Sequence, residues 1–164
     1  MRKSVIAPLT AGVLLALAGP ALAATKTTTF QVSANVLKNC VISAADLNLG
    51  QFDGANDLNT ASSAITVSCT AGTTYNVGLN AGLAGTFADR VLTGPGGDTL
   101  FYNLYTTTAR TTVWNDSTNR VGGTGAGMTS PQTLTVHGQL LASRNTGAIQ
   151  AGLYTDTITA TIEY

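Results

Sequence analysis

The chain has 164 residues with eight basic and eight acidic side chains, so its formal net charge is zero. This length suits one ordinary domain, and a chain without a basic excess is not expected to bind nucleic acid or an anionic membrane surface. Only 10% of the residues are charged, whereas 44% are hydrophobic. Weakly charged, strand-forming chains of this kind tend to associate with one another.

The first 23 residues are predicted to be a secretory signal peptide. Arg2 and Lys3 form a basic start, a mostly apolar stretch follows, and Ala21-Leu22-Ala23 is a small-x-small cleavage site. Cleavage after this site leaves roughly 141 residues of an exported chain. No later segment approaches the ~18 apolar residues that a membrane helix requires, so we expect no membrane insertion.

Residues 24–37 are predicted to form an alternating strand. Phe30, Val32, Ala34 and Val36 lie on one face, and the residues between them are polar. A period of two residues is typical of a strand with one buried face. The pattern leaves open whether this strand completes the sheet of its own chain or that of another.

Short stretches of the same alternation, separated by turn signals, continue through residues 38–164, and none shows the 3.6-residue period of a helix. The pattern predicts strands at residues 40–42, 47–52, 64–69, 74–79, 100–105, 111–114, 133–140 and 152–164. It predicts a polar loop at residues 53–63, a turn at 94–97 and a glycine-rich loop at 120–130. Strands of this length and spacing favour a single all-β sandwich.

The last predicted strand carries five side chains on its apolar face: Tyr154, Ile158, Ala160, Ile162 and Tyr164. The opposite face consists of threonines and a glutamate. This arrangement predicts a strand with one face on the core and the other in water.

Cys40 and Cys69 are the only cysteines of the chain. In an exported protein, two cysteines are expected to form a disulfide. Closing a loop of roughly 30 residues stabilises a fold by about 3–4 kcal/mol in the chain-entropy model. The alternatives, a metal site or a catalytic thiol, lack partners, because His137 is the only histidine and no CxxC motif occurs.

No pattern in the sequence indicates catalysis, a cofactor or a metal, so we do not expect an enzyme. The glycine-rich stretch at residues 122–127 lacks the Lys-Ser/Thr of a phosphate-binding loop, and no helix is predicted after it. His137 is predicted on the polar face of its strand, where a solvated or edge histidine is favoured over a catalytic base. Trp114 could serve a sugar-binding surface, but core or sheet-edge packing is the favoured interpretation.

Several short motifs occur in a fixed order along the chain. They are Cys40, Leu47-Asn48-Leu49-Gly50, Ile65-Thr66-Val67-Ser68-Cys69, Tyr102-Asn103-Leu104-Tyr105, Ala109-Arg110-Thr111-Thr112-Val113-Trp114, Gly125-Ala126-Gly127, Gln132-Thr133-Leu134-Thr135-Val136-His137-Gly138 and Gly152-Leu153-Tyr154-Thr155-Asp156. In combination they resemble the spore coat protein U domain family, which includes subunits of archaic chaperone–usher pili. The resemblance covers the mature chain and departs at His137, where the family more often has an aromatic residue.

The resemblance implies an immunoglobulin-like sandwich at residues 38–164 that lacks its last strand. In such pili a periplasmic chaperone first occupies the gap. At an outer-membrane usher, the N-terminal segment of the next subunit then replaces the chaperone in the gap. Residues 24–37 would be this donor strand. The side chains that enter the groove would be the apolar ones: Phe30, Val32, Ala34 and Val36. The acceptor strand would present four side chains: Ile158, Ala160, Ile162 and Tyr164.

The resemblance therefore predicts a structural subunit of a surface pilus or fimbria, polymerised by donor-strand exchange for adhesion and biofilm formation. The expected partners are the chaperone, the usher and identical or homologous subunits. The expected location is the periplasm in transit and then the cell surface. Two alternatives remain open: a spore or cell coat protein of the same fold, and a carbohydrate-binding adhesin domain. A two-domain adhesin would need a second sandwich before Cys40, where little chain is available.

Overall fold

The computed structural model describes residues 23–164, so the signal peptide predicted at residues 1–23 lies almost wholly outside the described residues. The chain divides into two units, Met1–Asn35 and Val36–Tyr164. In the first unit, residues 23–35 form no helix or strand, and their side chains are exposed. The alternating segment predicted here is therefore not paired into a sheet, and the domain boundary predicted between residues 37 and 38 stays a prediction.

The second unit consists of short strands and two 3-10 turns, and no α-helix occurs between residues 23 and 164. The strands are β1 (Cys40–Ala44), β2 (Ser62–Cys69), β3 (Thr74–Leu79), β4 (Arg90–Thr93), β5 (Thr99–Tyr105), β6 (Val121–Thr124), β7 (Gln132–Gln139) and β8 (Ala160–Glu163). The 3-10 turns are Pro95–Gly97 and Ala142–Arg144. The paired strands are antiparallel throughout. The all-β class predicted from the alternation is confirmed.

The strands form two sheets around one core. One sheet has the order β1-β2-β7-β5-β4 and the other the order β6-β3-β8. In the immunoglobulin arrangement one sheet has strands A, B, E and D, and the other has C, F and G. Here β1, β2, β7 and β5 correspond to A, B, E and D, whereas β3 and β8 correspond to C and F. The fold is immunoglobulin-like, as predicted, and no strand of residues 23–164 is hydrogen-bonded to the outer side of β8, where strand G would lie.

The core is built from the alternate side chains that the period-two pattern selects. The buried hydrophobic residues are Ile65, Val67, Cys69, Tyr75, Val77, Leu79, Leu100, Tyr102, Leu104, Trp114, Val136 and Leu140. Trp114 is 0% exposed, and its Nε1–H group donates to the carbonyl oxygen of Val77 at 2.9 Å. Core packing, the favoured interpretation of Trp114, is confirmed, and this ring offers no face to a sugar.

The glycine-rich stretch predicted as a loop contains a strand. In the pairing of β6 with β3, Gly122 lies opposite Asn76 and Gly123 lies opposite Tyr75. A Cβ atom on Gly123 would lie 2.5 Å from the Oη atom of Tyr75, so the two strands fit together because this position has no side chain. Glycine is rare in strands by propensity, and close approach of another group is one of the exceptions.

Three predicted strands are shorter than expected or absent. Residues 47–52 form no strand, and residues 111–114 contribute only an isolated bridge, from Val113 to Tyr105. The pattern predicts a last strand at residues 152–164, but β8 is confined to its end and follows a single isolated bridge to β4. The reason is that alternation shows which face of an extended segment is buried, whereas a strand also needs a neighbouring backbone.

Cys40 and Cys69 are bonded to each other, with an S–S distance of 2.01 Å, so the predicted disulfide is present. The two residues lie directly opposite each other in the ladder between β1 and β2. Because β1 is an edge strand, the bond ties the rim of the sandwich covalently to a strand whose Cys69 is buried in the core.

We expect the double variant Cys40→Ser/Cys69→Ser to have a free energy of unfolding lower by about 3 kcal/mol, because the bond closes a long loop in the unfolded chain. Urea denaturation of the exported protein measures this difference. Mass spectrometry of the unreduced wild type should show a mass two hydrogens below that of the reduced chain. Two free thiols in freshly isolated protein, or equal stability of the two proteins, would contradict the prediction.

Candidate strand-acceptor groove

A groove with an apolar floor lies where the end of β1 approaches the start of β8. β1 is the outer strand of one sheet and β8 the outer strand of the other, and their Cα atoms come within 8 Å at the nearest points. The groove is bordered by residues 44–54 on one side and by residues 145–160 on the other, and its volume is about 1340 Å³. This exceeds the ~300–1,000 Å³ of a typical small-molecule site, so its size favours an occupant as large as a peptide segment.

Core side chains form the floor of the groove. They are predominantly apolar: Leu79, Leu92, Leu100, Tyr102, Leu104, Val136 and Leu140. Transfer of apolar surface out of water contributes about 25 cal/mol per Å². A groove of this composition therefore favours an occupant with apolar side chains.

Two of the motifs that carry the family resemblance line this groove. The motif at residues 47–50 borders one side, and the motif at residues 152–156 borders the other. A Cβ atom on Gly138 would lie 2.6 Å from a methyl carbon of Leu49 and 2.7 Å from one of Leu47. The missing side chain of Gly138 thus lets both leucines lie directly on β7. Residues 47–50 line the groove through this packing although they form no strand.

The edge of β8 presents backbone groups that have no partner strand among residues 23–164. In an antiparallel ladder, the N–H and C=O groups of alternate residues point to the same neighbouring strand. The carbonyl oxygen of Thr159 accepts a hydrogen bond from the amide of Asn80 at 3.0 Å, so this residue faces β3. The backbone groups of Ala160 and Ile162 consequently face the free edge.

The edge of β1 has the same property in the other sheet. The amide of Ala45 donates to the carbonyl oxygen of Ala64 at 3.0 Å, in the direction of β2. By the same alternation, the backbone groups of Cys40, Ile42 and Ala44 face away from β2. A strand placed between β1 and β8 would find hydrogen-bonding partners on both sides.

The predicted acceptor side chains alternate as the sequence indicates. Ile158, Ala160 and Ile162 are half-buried and pack on the core, whereas the threonines between them are exposed. Ile158 and Ala160 line the groove. Tyr164 is 54% exposed, follows the last residue of β8 and does not line the groove. That this row receives a donor strand stays a prediction.

The predicted donor side chains are all exposed. Phe30, Val32 and Val36 are 86%, 82% and 79% exposed, and Ala34 is exposed as well. One exposed apolar residue is ordinary, but four at a spacing of two residues form an apolar ribbon along one face of an extended chain. Burial of a Val or Phe side chain contributes about 1.5–3 kcal/mol, so this ribbon has a driving force for insertion into an apolar groove.

A buried arginine joins the strands behind the groove, and the periodicity did not indicate it. Arg90 begins β4 and is 0% exposed. Its guanidinium donates at 2.7 Å to Oδ1 of Asn103 and, also at 2.7 Å, to the main-chain carbonyl oxygens of Asn80 and Trp114. Burial lowers the pKa of Arg90, yet a guanidinium keeps its proton in proteins. The core therefore contains a cation held mainly by neutral oxygen atoms.

An asparagine within an apolar strand was the one available signal for this network. Asn103 lies between Tyr102 and Leu104 in β5, and it is 6% exposed. Its amide group donates to the carbonyl oxygens of Phe87 and Ala88 at 2.9 and 3.0 Å. Among the described residues, every buried side-chain nitrogen and oxygen has a hydrogen-bond partner. The polar groups of the core are thus fully paired, as a stable buried network requires.

Residues 155–159, which lead into β8, are anchored at both ends by hydrogen bonds. Thr155 and Thr93 exchange two backbone hydrogen bonds, of 2.9 and 3.0 Å. The amide of Thr159 donates to the side-chain Oδ1 of Asn80 at 2.9 Å. This segment borders the groove, so these bonds help to fix the position of one groove wall.

The hydroxyl group of Tyr102 connects the groove floor to the same segment. It donates to Oδ2 of Asp156 at 2.7 Å. Burial, and next the hydrogen bond with Asp156, raise the pKa of Tyr102 far above its usual value. The hydroxyl therefore keeps its proton and acts as the donor at any physiological pH.

Two other kinds of feature considered from the sequence, a metal site and a membrane helix, can be examined among the described residues. Among residues 23–164, no group of three or more His, Cys, Asp or Glu side chains is arranged to hold a metal ion. No helix in the same range is long and apolar enough to cross a membrane.

His137 is half-buried in β7, opposite Ser62 on one neighbouring strand and Tyr105 on the other. An edge position for His137, one interpretation open from the sequence, is therefore wrong.

The fold and the groove define an immunoglobulin-like sandwich in which β1 and β8 are edge strands beside a groove with an apolar floor. The sequence matches the Spore Coat Protein U domain over residues 26–161, and the chain belongs to this family. It is also similar to a chain in the crystal structure of the CsuC–CsuE chaperone–tip adhesion subunit pre-assembly complex from archaic chaperone–usher Csu pili of Acinetobacter baumannii. The identity is 25% and the TM-score 0.57, over 79% of this chain and 40% of that chain, so the similarity spans less than half of the latter. No curated protein matches the sequence.

Replacement of the buried guanidinium, Arg90→Met, should lower the free energy of unfolding by about 3–5 kcal/mol, because several buried carbonyl groups lose their donor. The matched control is Arg144→Met, since the side chain of Arg144 is 50% exposed and pairs with Asp89 at the surface. A loss below about 1 kcal/mol is expected for this control. Denaturant unfolding of both variants measures the difference. Equal losses would show that the Arg90 network does not stabilise the core.

Proposed function

We propose that the protein is a structural subunit of a surface pilus that serves adhesion and biofilm formation. Its subunits would polymerise by donor-strand exchange, with a periplasmic chaperone and an outer-membrane usher as partners. The observation that carries this proposal is a groove with an apolar floor where two edge strands approach each other, in a chain that also has an exposed apolar ribbon of matching period. Family membership and the similarity to the archaic pilus complex support it.

Insertion of a strand between β1 and β8 would remove two free-energy costs together. The backbone groups on both free edges would gain partners, and each hydrogen bond contributes about 0.5–1.5 kcal/mol net. The half-buried apolar side chains along the groove, such as Ile158 and Ala160, would be covered by alternate side chains of the inserted strand. In strand addition of this kind, the main chain supplies affinity and the alternate side chains supply specificity. The ribbon of residues 30–36 has the period that such a groove requires.

The direction of the strands supports a donor from a second copy of the chain. β1 is antiparallel to β2, a tight turn reverses the chain between β2 and β3, and β8 is antiparallel to β3, so β1 and β8 run in opposite directions. A strand G antiparallel to β8, as in the immunoglobulin fold, must therefore run parallel to β1. Only residues 37–39 separate Val36 from Cys40, and parallel neighbours need a crossover of about a dozen residues. The chain's own segment is too closely joined to β1 for this arrangement.

Electron microscopy of cells with and without this protein tests the function against its nearest alternative. Loss of surface fibres on deletion of the protein is the expected result. A thinned coat with all fibres retained would contradict the proposal and favour the coat-protein alternative. No observation favours the carbohydrate-binding alternative, since Trp114 is buried.

A chain lacking residues 25–36 should be poorly soluble on its own, because its groove then has no donor strand in any copy. Addition of a peptide with the sequence of residues 25–37, or of the chaperone, should restore a soluble monomer with a higher melting temperature. Light scattering and thermal unfolding measure both effects. If the shortened chain alone is a soluble monomer that melts as high as with peptide, the groove does not require a strand.

Val32→Asp should block polymerisation while the sandwich itself stays folded, because a buried, unpaired carboxylate costs several kcal/mol. The matched control is Ser33→Asp, which introduces the same charge one residue along the chain, on the face that points out of the groove. The ladder of oligomers that survives mild denaturant on a gel measures assembly. Equal effects of the two substitutions, or a loss with Ser33→Asp alone, would show that the register is wrong or that the segment is an ordinary tether.

A further inference from the structure

The carboxylate of Asp156 occupies a site built from three hydrogen-bond donors. Its Oδ2 atom accepts from the hydroxyl of Tyr102 at 2.7 Å. Its Oδ1 atom accepts from the amide of Leu83 at 2.9 Å and from the amide of Thr157 at 2.7 Å. Hydrogen bonds to an ionised carboxylate are shorter and roughly twice as strong as those between neutral groups. The residue therefore ties the groove wall to the groove floor and to the loop after β3.

The loop after β3 is shaped to admit this carboxylate. Gly82 has a φ of +85°, a conformation that favours glycine. A Cβ atom on Gly82 would lie 2.0 Å from Oδ2 of Asp156, so any other residue would displace the carboxylate. Oδ1 of Asn80, two residues earlier, accepts hydrogen bonds from the amides of Gly82 and Thr159 at 3.2 and 2.9 Å. The loop thus contacts residues 156–159 at two points.

The carboxylate of Asp156 interacts electrostatically with the buried Arg90. Arg90 is fully buried behind the groove, and Asp156 is one of the acidic groups whose negative charge offsets the effect of burial on its pKa. Tyr102 also serves two roles, because its ring lines the groove floor while its hydroxyl donates to Asp156. The side chain of Tyr102 thereby joins the floor of the groove to the segment that leads into β8. A donor strand would lie on this floor and pair with β8.

We propose that Asp156, held by Tyr102 and admitted by Gly82, is the positioning residue of the acceptor groove. It keeps residues 155–159 and the start of β8 in the donor-binding position while the groove is still empty. This inference rests on the proposed donor-strand function. A short edge strand with a partner on one side only tends to open locally. An acceptor that is ordered beforehand binds more tightly, because less conformational freedom is lost when the donor arrives.

The motif positions agree with this role. Tyr102 opens the motif at residues 102–105, and Asp156 closes the motif at residues 152–156. The two motifs are separated by about fifty residues of sequence, yet a single hydrogen bond joins them. The hydrophobic pattern explains the apolar members of both motifs but not this polar pair, whereas the proposed positioning role explains the pair.

Tyr102→Phe tests the proposal, because it removes the hydroxyl and keeps the ring that lines the groove. The matched control is Tyr105→Phe in the same strand, since the hydroxyl of Tyr105 makes no hydrogen bond within residues 23–164. Both variants are made in the full mature chain carrying Val32→Asp, so that its own segment does not compete. Binding of a fluorescent peptide of residues 25–37 gives the Kd, and hydrogen exchange gives the opening of residues 155–159.

We expect Tyr102→Phe to weaken peptide binding by about tenfold or more, the effect of losing one hydrogen bond to a charged group. Exchange of the amides in residues 155–159 should accelerate by a similar factor in the free protein, while exchange in β2 and β7 stays unchanged. Tyr105→Phe should leave both quantities unchanged. Asp156→Ala should weaken binding at least as much as Tyr102→Phe does. Asp156→Asn should weaken it less than Asp156→Ala, because its amide oxygen can still accept from Leu83 and Thr157.

The possible failures are distinguishable. If the parent chain with Tyr102 intact does not bind the peptide, the donor-strand function itself is wrong. If the parent binds, and Tyr102→Phe and Asp156→Ala each bind with the same Kd as the parent, the positioning role is overturned. A purely structural role would lower the melting temperatures of the free and peptide-saturated forms equally and leave Kd unchanged, which also overturns it. A larger fall in the free form than in the saturated form supports it.

Discussion

The rest of this structure depends on one constraint: the outer backbone groups of β1 and β8 have no partner strand in the part of the chain that the structure describes. A buried N–H or C=O group without a partner costs about 1–3 kcal/mol, so such groups must face water or another backbone. While the groove is open, water can hydrate both edges, but the same water contacts the half-buried apolar side chains along the groove, such as Ile158 and Ala160. Only an extended segment with apolar side chains at every second position relieves both conditions at once. The period of two residues therefore matters equally for the groove and for the proposed donor.

A sandwich that lacks strand G has to stabilise its core without the contacts that this strand provides. The Arg90 network contributes here, because it joins β4 to β5 through Asn103 and to the end of β3 through the carbonyl oxygen of Asn80. A third hydrogen bond reaches the carbonyl oxygen of Trp114, whose indole is packed at the centre of the core. Polar bonds have direction, whereas apolar contacts do not. The network therefore specifies how these strands meet, in addition to the apolar packing of the core.

Much of the fold could be predicted from alternation, because a strand with one buried face must place apolar residues at every second position. Val67 and Val77 follow this rule, and each is 0% exposed. The rule fails where a strand depends on what lies opposite. β6 contains Gly122 and Gly123, and it can pair closely with β3 because these two residues have no side chain that would contact Asn76 and Tyr75. Arg90 could not be predicted as buried, because its partners are mainly backbone carbonyl oxygens that no residue pattern encodes.

The candidate site was predictable to a similar degree and for the same reason. The row of Ile158, Ala160 and Ile162 follows from the period alone, whereas the floor of the groove depends on how two sheets are stacked. Residues 47–50 were expected to be a strand, yet they line the groove as a segment packed on Gly138. The alternation places Tyr154 and Thr155 in the same strand as β8. In the structure, a side-chain hydrogen bond holds Tyr154 and an isolated β-bridge to Thr93 holds Thr155.

The two walls of the groove are fixed by different means, and the difference follows from their neighbours. The β1 wall has only β2 beside it, and the bond between Cys40 and Cys69 prevents its separation covalently. The β8 wall begins in a segment with no continuous strand partner, and the carboxylate of Asp156 and its donors hold that segment. A covalent bond restrains β1 through its first residue, whereas the carboxylate of Asp156 restrains the segment before β8 through three directed hydrogen bonds. Under the proposed function, both walls would therefore keep the spacing that a donor strand requires before that strand arrives.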